Sequence, residues 1–255
     1  MNHIMLYSAG STPAVDFACR ALARQGITVT VEPRSDVTHL LLPVPSFEAD
    51  GRIRGGGILE HILADLPENI TVIGGNLIHP ALSSYKKMDL LQDGLYTAKN
   101  ASITADCAIR VAAPHLLTVY EGCPVLIIGW GRIGKCLACK LKALGARITV
   151  AARKTADRDM LLALGYGAEN PERLLHNLAG SRLIFNTAPS PVLREAQLKY
   201  CRRDCVKIEL ASKPGILGED VIEAKGLPGK IAPESSGELI ARSVIRLIAE
   251  SEVSL

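Results

Sequence analysis

Aromatic side chains are scarce in this 255-residue chain, which holds three Phe, one Trp and six Tyr. Stacking platforms for nucleic acid need aromatics beside a concentrated basic surface. The formal charge is only +3, and Lys and Arg are spread along the chain with no basic run, so a nucleic-acid partner is set aside. Also missing is any apolar run of the roughly 20 residues that a bilayer-spanning helix requires. The opening MNHIMLYSAG has no basic segment followed by a long apolar core and a cleavage site. No membrane partner is expected, and the expected compartment is the cytoplasm. The cysteines, at 19, 107, 123, 136, 139, 201 and 205, are odd in number and scattered, which argues against a secreted disulfide framework. Cys136 and Cys139 have metal-type spacing, as loosely do Cys201 and Cys205. The first pair, however, falls within a helical pattern without the Gly or Pro turns of a zinc knuckle, and no metal is expected.

What the chain does have is the apolar content of an ordinary globular protein and a regular alternation of strand and helix patterns. HIMLYS, ITVTVE, THLLLPV and NITVIGG read as strands in the first part, with helices at PAVDFACRALARQG and ILEHILADL. PVLIIG, ARITVAA, RLIFNT and CVKIEL repeat the rhythm in the second. Buried runs of this kind imply parallel sheets covered on both faces. The fold class is therefore α/β, with two doubly wound parallel-sheet domains. Residues 1–99 with a C-terminal helix over 236–255 form a flavodoxin-like substrate domain, and residues 100–235 form a Rossmann domain. A bridging helix over 103–121 is expected to begin near Thr104, bend around Pro114 and close at Gly122, with hinges near Asn100 and Ser235.

The sharpest motif runs from Pro124 to Gly134. A buried strand leads into Gly129-Trp130-Gly131-Arg132-Ile133-Gly134 and then a helix, with a further strand at the spacing of a βαβ unit. Gly129 suits the tight turn, Gly131 the close approach of a pyrophosphate, and Gly134 the packing of helix on strand. The helix N-terminus offers unpaired N–H groups to the phosphates. At the end of the next strand, where an NAD site places an acid against the ribose hydroxyls, the chain has Arg153 and Lys154. These pair with a 2′-phosphate, so NADP is favoured over NAD; solvated loop charges are the other reading. Two further strand ends belong to the same edge: Asn186-Thr187-Ala188-Pro189 and Ala211-Ser212-Lys213. Asn186 and Thr187 are equally a ligand contact or a strand-ending turn.

Hydride chemistry needs a group to orient substrate and handle a proton. The late His–acid pair of hydroxyacid dehydrogenases has no counterpart, because His176, the last His, lies on a helical pattern far from the strand ends. Lys213 is the better-placed ionisable residue, to bind a carboxylate or move a proton, and a surface lysine is the plain alternative. Ser11 and Thr12, Pro43 to Ser46 and Gly229 to Gly237 offer turn donors to a small carboxylate, although turn chemistry explains most of them. His39, His61, His79 and His115 read as packed or surface histidines.

Taken together, the segments YKKMDLLQDGLYTAKNASITADCAI, VLIIGWGRIGKCLACKLKALGARITVAARK, LIFNTAP, IELASKPG and GLPGKIAPESSGELIA resemble the family of dipicolinate synthase A subunits. That family's fold is related to formate and glycerate dehydrogenases. The resemblance covers about 85 to 255, with only pattern similarity before it. It implies an NAD(P)-dependent oxidoreductase that forms dipicolinate from a dihydrodipicolinate or hydroxylated precursor by hydride transfer, within dipicolinic acid biosynthesis during sporulation, together with a flavoprotein-like B subunit. By position it carries Gly129, Gly131, Arg132, Ile133 and Gly134 to the phosphates and Arg153 to the ribose. It places the segments Asn100 to Thr104 and Ser212 to Lys213 at a substrate cleft between the domains, which makes Lys213, Ser212, Asn100 and Thr104 the catalytic candidates. The chain departs from the family in a compressed stretch between ASKPG and GLPGKIAP, where a strand or its preceding turn is lost, and in Asp106 where the family carries Glu. A homo-oligomer binding a small cyclic dicarboxylate is expected. The other readings are a dehydrogenase of another small acid and an NADP-binding regulatory or scaffold subunit of a flavoprotein complex.

Overall fold

The computed structural model describes residues 4–253; the His3 start of the first expected strand and the last two residues of the expected C-terminal helix lie outside the described residues. Contacts divide the chain into one unit of Met1–Asn100 with Pro228–Leu255 and another of Ala101–Leu227.

The first unit is a five-stranded sheet of β1 (Met5–Ser8), β2 (Thr28–Thr30), β3 (His39–Leu41), β4 (Thr71–Gly74) and β5 (Lys86–Asp89), parallel throughout and ordered β2-β1-β3-β4-β5. That is the flavodoxin-type order. Its core takes Leu40 and Leu42 from the third strand and its exit, with Val72, Ile70 and Leu59. Each fully buried aliphatic side chain contributes about 1.5–3 kcal/mol. Helix α1 (Pro13–Arg24) starts where Thr12 accepts a hydrogen bond from the Val15 N–H at 3.3 Å and Pro13 takes the first position. Helix α2 (Leu59–Ala64) buries Leu59 and Leu63. The edge strand β5 reads KKMD and exposes both lysines, a common way to blunt a sheet edge. Its polarity hides it from an apolar-run reading.

Helix α3 (Gly94–Ala112) begins ten residues before the expected Thr104 start, and the chain past it forms a short 3-10 turn at Ala113–His115. The bridging helix over 103–121 is thus corrected at both ends. Asp93 sets the beginning, because its carboxylate accepts the Tyr96 N–H at 2.6 Å, and Pro114 sets the end. The expected hinge at Asn100 falls inside this helix.

The second unit is a six-stranded parallel sheet: β6 (Pro124–Ile128), β7 (Arg147–Ala151), β8 (Gly167–Glu169), β9 (Leu183–Asn186), then, after the two-residue β10 (Leu193–Arg194), β11 (Val206–Glu209), and, after the two-residue β12 (Ile216–Leu217), β13 (Val221–Glu223). β10 and β12 form a separate short ladder. The order β13-β11-β9-β6-β7-β8 is the Rossmann order, with its switch point between β6 and β9. Helices α4 (Arg132–Ala143), α5 (Thr155–Ala163), α6 (Leu175–Gly180) and α7 (Glu195–Leu198) make the connections. The compressed stretch after ASKPG keeps its strand, against the expected loss: β13 is the sixth strand, reached through β12 and a turn with Asp220 at φ 55°.

Helix α8 (Leu227–Ile231) is followed by α9 (Pro233–Val253), which packs along α1. The expected hinge near Ser235 and start at 236 are corrected here too. Pro233 opens the helix, so Ser235 and Ser236 occupy its first turn.

Candidate functional site

The glycines after β6 differ in what surrounds them. Gly129 has φ 105°, and a Cβ there would stand 2.5 Å from the Thr187 hydroxyl oxygen. A Cβ on Gly134 would collide with the Gly129 carbonyl oxygen. Both are therefore fixed by the protein's own packing. Gly131 is different: a Cβ there meets no atom within 4 Å. It is also the N-cap of α4 without any side-chain hydrogen bond, which leaves first-turn N–H groups for an anion.

Thr187 locks this turn from the neighbouring strand end. Its N–H donates to the Ile128 carbonyl at 2.8 Å, and its hydroxyl donates to the same oxygen at 3.0 Å.

One cavity of about 260 Å³ gathers Gly129, Trp130, Gly131, Arg153, Lys154, Thr187, Ala188 and Pro189 in its lining. Eight residues singled out in the sequence thus meet at the carboxyl edge around the switch point, where open α/β sheets bind ligands. Arg132 and Ile133 sit in the first turn of α4, exposed and half-buried, outside that lining. Trp130 lies edge-on to Tyr166 with ring centroids 6.0 Å apart, and Lys135 Nζ stands 5.7 Å from its ring.

Arg153 and Lys154 are exposed on the turn into α5, whose N-cap, Lys154, makes no side-chain hydrogen bond. Arg158, not singled out in the sequence, holds this turn: its guanidinium donates to the carbonyls of Ala152 and Arg153 at 2.8 and 2.7 Å and to the Thr155 hydroxyl at 2.9 Å. The turn is fixed through its backbone, and both cationic heads stay at the rim. The signal for Arg158 is its position three residues past Thr155 on a helical pattern.

Asn186 points the other way. It is fully buried, its amide nitrogen donates to both Glu209 oxygens at 2.8 and 3.0 Å and to the Ala188 carbonyl at 3.0 Å, and its oxygen accepts the Ala188 N–H at 3.2 Å. Glu209 is likewise not singled out in the sequence. It is 1% exposed and receives the backbone N–H groups of Ala211, Gly215 and Ile216 at 2.8–2.9 Å. The segment between those anchors carries Ser212 and Lys213, both exposed, while Ala211 is buried; none of the three lines the cavity. Asn100 and Thr104 lie one turn apart on α3, half-buried and buried, also outside its lining. Among the described residues no helix is long and apolar enough to cross a membrane.

No protein-family model matches the sequence. The chain resembles the A subunit of dipicolinate synthase from Bacillus subtilis (strain 168), to which it is 29% identical over 159 residues, covering 59% of this chain and 54% of that protein. The chain thus matches about half the length of this relative. Among solved structures, the dipicolinate synthase A subunit of Bacillus halodurans superposes with a TM-score of 0.82 at 22% identity, covering 97% of this chain and 98% of that one. The corresponding dipicolinate synthase structure from Bacillus subtilis gives 0.83 at 21% identity, covering 100% and 99%. A transhydrogenase from Sinorhizobium meliloti gives 0.72 at 14%, covering 96% and 93%. These superpositions show a shared fold of two parallel-sheet α/β domains.

Proposed function

We propose that this chain, which resembles the A subunit of dipicolinate synthase, is an NADP-dependent oxidoreductase acting on a small cyclic dicarboxylate. The observation that carries the reading is the sorting of the glycines: Gly129 and Gly134 answer to the protein's packing, whereas Gly131 opens on empty space at an uncapped helix N-terminus. Free N–H groups at such a turn suit a pyrophosphate. The cavity beside it, bounded by Arg153 and Lys154, suits the adenosine end, and two exposed cationic heads favour the 2′-phosphate.

NADP held at this edge would supply the hydride acceptor. For a dihydrodipicolinate this leaves the aromatic ring of dipicolinate and one proton to be released. Thr187 keeps the glycine turn in shape, Arg158 holds the turn bearing Arg153 and Lys154, and the loop with Ser212 and Lys213 supplies a hydroxyl and a cation at the carboxyl edge for a substrate carboxylate. A homo-oligomeric state and a second, flavoprotein-like subunit belong to the same proposal, from the resemblance.

The test uses the protein's single tryptophan. Trp130 lines the cavity, so its emission reports occupancy directly. NADPH quenching it at lower concentration than NADH supports the reading, and turnover of a dihydrodipicolinate precursor with NADP completes it. Binding with turnover only after a flavoprotein partner is added makes the chain a dinucleotide-binding subunit; no quenching by either nucleotide overturns the proposal.

A further inference from the structure

We infer that Glu209 is the positioning residue of the 211–216 loop, setting where Ser212 and Lys213 stand relative to the glycine turn. The inference rests on the dinucleotide reading for its meaning in catalysis, and on contacts within one unit for its geometry.

A carboxylate that is 1% exposed has to satisfy its acceptor sites inside the protein. Glu209 does so with donors alone. Oε1 accepts from Ala211 N at 2.9 Å and from Asn186 Nδ2 at 2.8 Å; Oε2 accepts from Gly215 N at 2.8 Å, Ile216 N at 2.9 Å and Asn186 Nδ2 at 3.0 Å. The backbone donors bracket Ser212, Lys213 and Pro214, so both feet of that exposed segment stand on one side chain. Gly215 presses the returning strand of the loop home: a Cβ there would collide with Asn186 Nδ2 and stand 2.8 Å from the Ser190 carbonyl and 2.9 Å from that of Ala188. Its carbonyl in turn accepts the N–H groups of Val192 and Leu193 at 2.8 and 3.0 Å.

The anchor is registered to the nucleotide turn through adjacent residues of one strand end. Asn186 grips Glu209, and the next residue, Thr187, grips Ile128 and approaches Gly129. The path from Gly129 to the loop therefore runs through the half-buried Thr187 hydroxyl, 3.0 Å from the Ile128 carbonyl and 3.4 Å from that of Gly129, and the buried Asn186–Glu209 pair. Groups that must meet a bound ring are sensitive to such placement, since a misplacement of about 1 Å costs on the order of 10²-fold in rate.

Glu209→Gln and Glu209→Asp separate this role from space filling. Gln keeps the shape but turns an amide N–H toward the Ala211 donor or toward the Gly215 and Ile216 donors. Asp is shorter and keeps two acceptors. A packing role ranks Gln above Asp; an anchoring role ranks Asp above Gln. Hydrogen exchange at the amides of Ala211, Gly215 and Ile216 is expected to speed up in Glu209→Gln and to recover partly in Glu209→Asp. In the same variants the NADPH affinity read from Trp130 changes little, while kcat falls on the order of 10²-fold in Gln and less in Asp. Unchanged exchange in Glu209→Gln, or Gln matching the wild type while Asp fails, overturns the inference. If the wild type binds no NADPH, the functional reading fails alone and the exchange order still decides the role of Glu209. If Glu209→Gln does not fold, Glu209→Asp carries the test, and protection at the three amides equal to wild type overturns the anchor.

Discussion

Asn186 and Glu209 are register partners at the last positions of two neighbouring parallel strands, and their side chains meet with the amide nitrogen 2.8 and 3.0 Å from the two carboxylate oxygens. Both are buried among aliphatic strand residues, where an unmatched polar group is expensive. Asn186→Asp sets two carboxylates against each other at the same site. One of them then has its pKa raised by like charge and burial. A carboxyl whose folded pKa exceeds its unfolded value of about 3.9 destabilises the fold when forced to ionise. The defect is relieved as pH falls through the raised folded value toward the unfolded one. Urea denaturation is expected to show a loss on the order of 3 kcal/mol at pH 7 and a smaller loss at pH 5. A deficit independent of pH removes the like-charge account.

The glycines of the turn give a second, opposed pair of outcomes. Gly134→Ala drives a methyl into the Gly129 carbonyl, and overpacking of this kind costs about 1–3 kcal/mol. Gly131→Ala meets open space and has φ −79°, a conformation any residue adopts, so thermal stability should stay near wild type. Its methyl instead occupies the place proposed for the pyrophosphate. Thermal denaturation combined with NADPH titration should therefore show Gly134→Ala as a stability variant and Gly131→Ala as a binding variant.

The contrast also explains which parts of the molecule the sequence discloses. β6, α4 and β7 are legible because a parallel strand covered on both faces has to be apolar at nearly every position, as PVLII and RITVA largely are. β8 and β13 are three-residue edge strands with half-exposed residues, and such strands carry no apolar run to read. Asp93 escapes notice as the start of α3 because the polar, Gly-containing stretch around it looks like a loop until its carboxylate is seen on the Tyr96 N–H. Glu209 escapes notice for a related reason. Besides the Asn186 amide, the donors that make its burial tolerable are backbone groups of residues that follow it, and backbone groups leave no mark in a sequence. Gly129, Trp130, Gly131, Arg153, Lys154, Thr187, Ala188 and Pro189 are legible because they sit at strand ends, where topology alone brings them to one edge.

Within the first unit, Asp93 ties the start of α3 to α9. Besides capping α3, it accepts Arg246 of α9 at 2.6 Å. Burial pushes its carboxyl up, but the Tyr96 N–H and the Arg246 guanidinium outweigh that and leave the pKa below the ordinary carboxylate value. A depressed carboxylate contributes stability above its unfolded pKa and loses it as pH falls through the folded one. Asp93→Ala is expected to cost about 1–2 kcal/mol at pH 7, mainly through the lost cap. Its difference from wild type should shrink below about pH 4, as measured by urea denaturation at several pH values.

Cys201 offers a chemical readout of the second unit. The neighbouring Cys205 thiol lowers its pKa below the ordinary thiol value, against the opposing effect of burial and with help from Lys207; the Cys205 thiol is itself pushed up by the same neighbour and by burial. Alkylation of Cys201 by iodoacetamide is expected to rise with a midpoint below that of an ordinary thiol, about 8.5. In Cys205→Ser, where a hydroxyl replaces the thiol donor, the midpoint should move. A Cys201 midpoint at the ordinary thiol value of about 8.5 in the wild type would remove the contact.

Under the proposed function, the choice between the two nucleotides turns on Arg153 and Lys154. Both heads are exposed, and Arg158 holds their turn through backbone carbonyls, so trimming them should leave the turn in place. Charge-assisted hydrogen bonds to a phosphate contribute about 1.5–3 kcal/mol each, reduced by solvent at this exposed rim. Replacing both by Ala is expected to weaken NADPH binding by about 10–100-fold and to leave NADH binding nearly unchanged, because NADH carries no 2′-phosphate to lose. The NADPH affinity of the wild type should also fall with added salt more steeply than that of the double variant, since exposed charges are screened over a Debye length of about 8–10 Å near physiological ionic strength. Equal losses for the two nucleotides would mean that the turn itself, not its charges, was damaged, and Arg158→Ala is the control for that case. It removes the clamp and should weaken both nucleotides together.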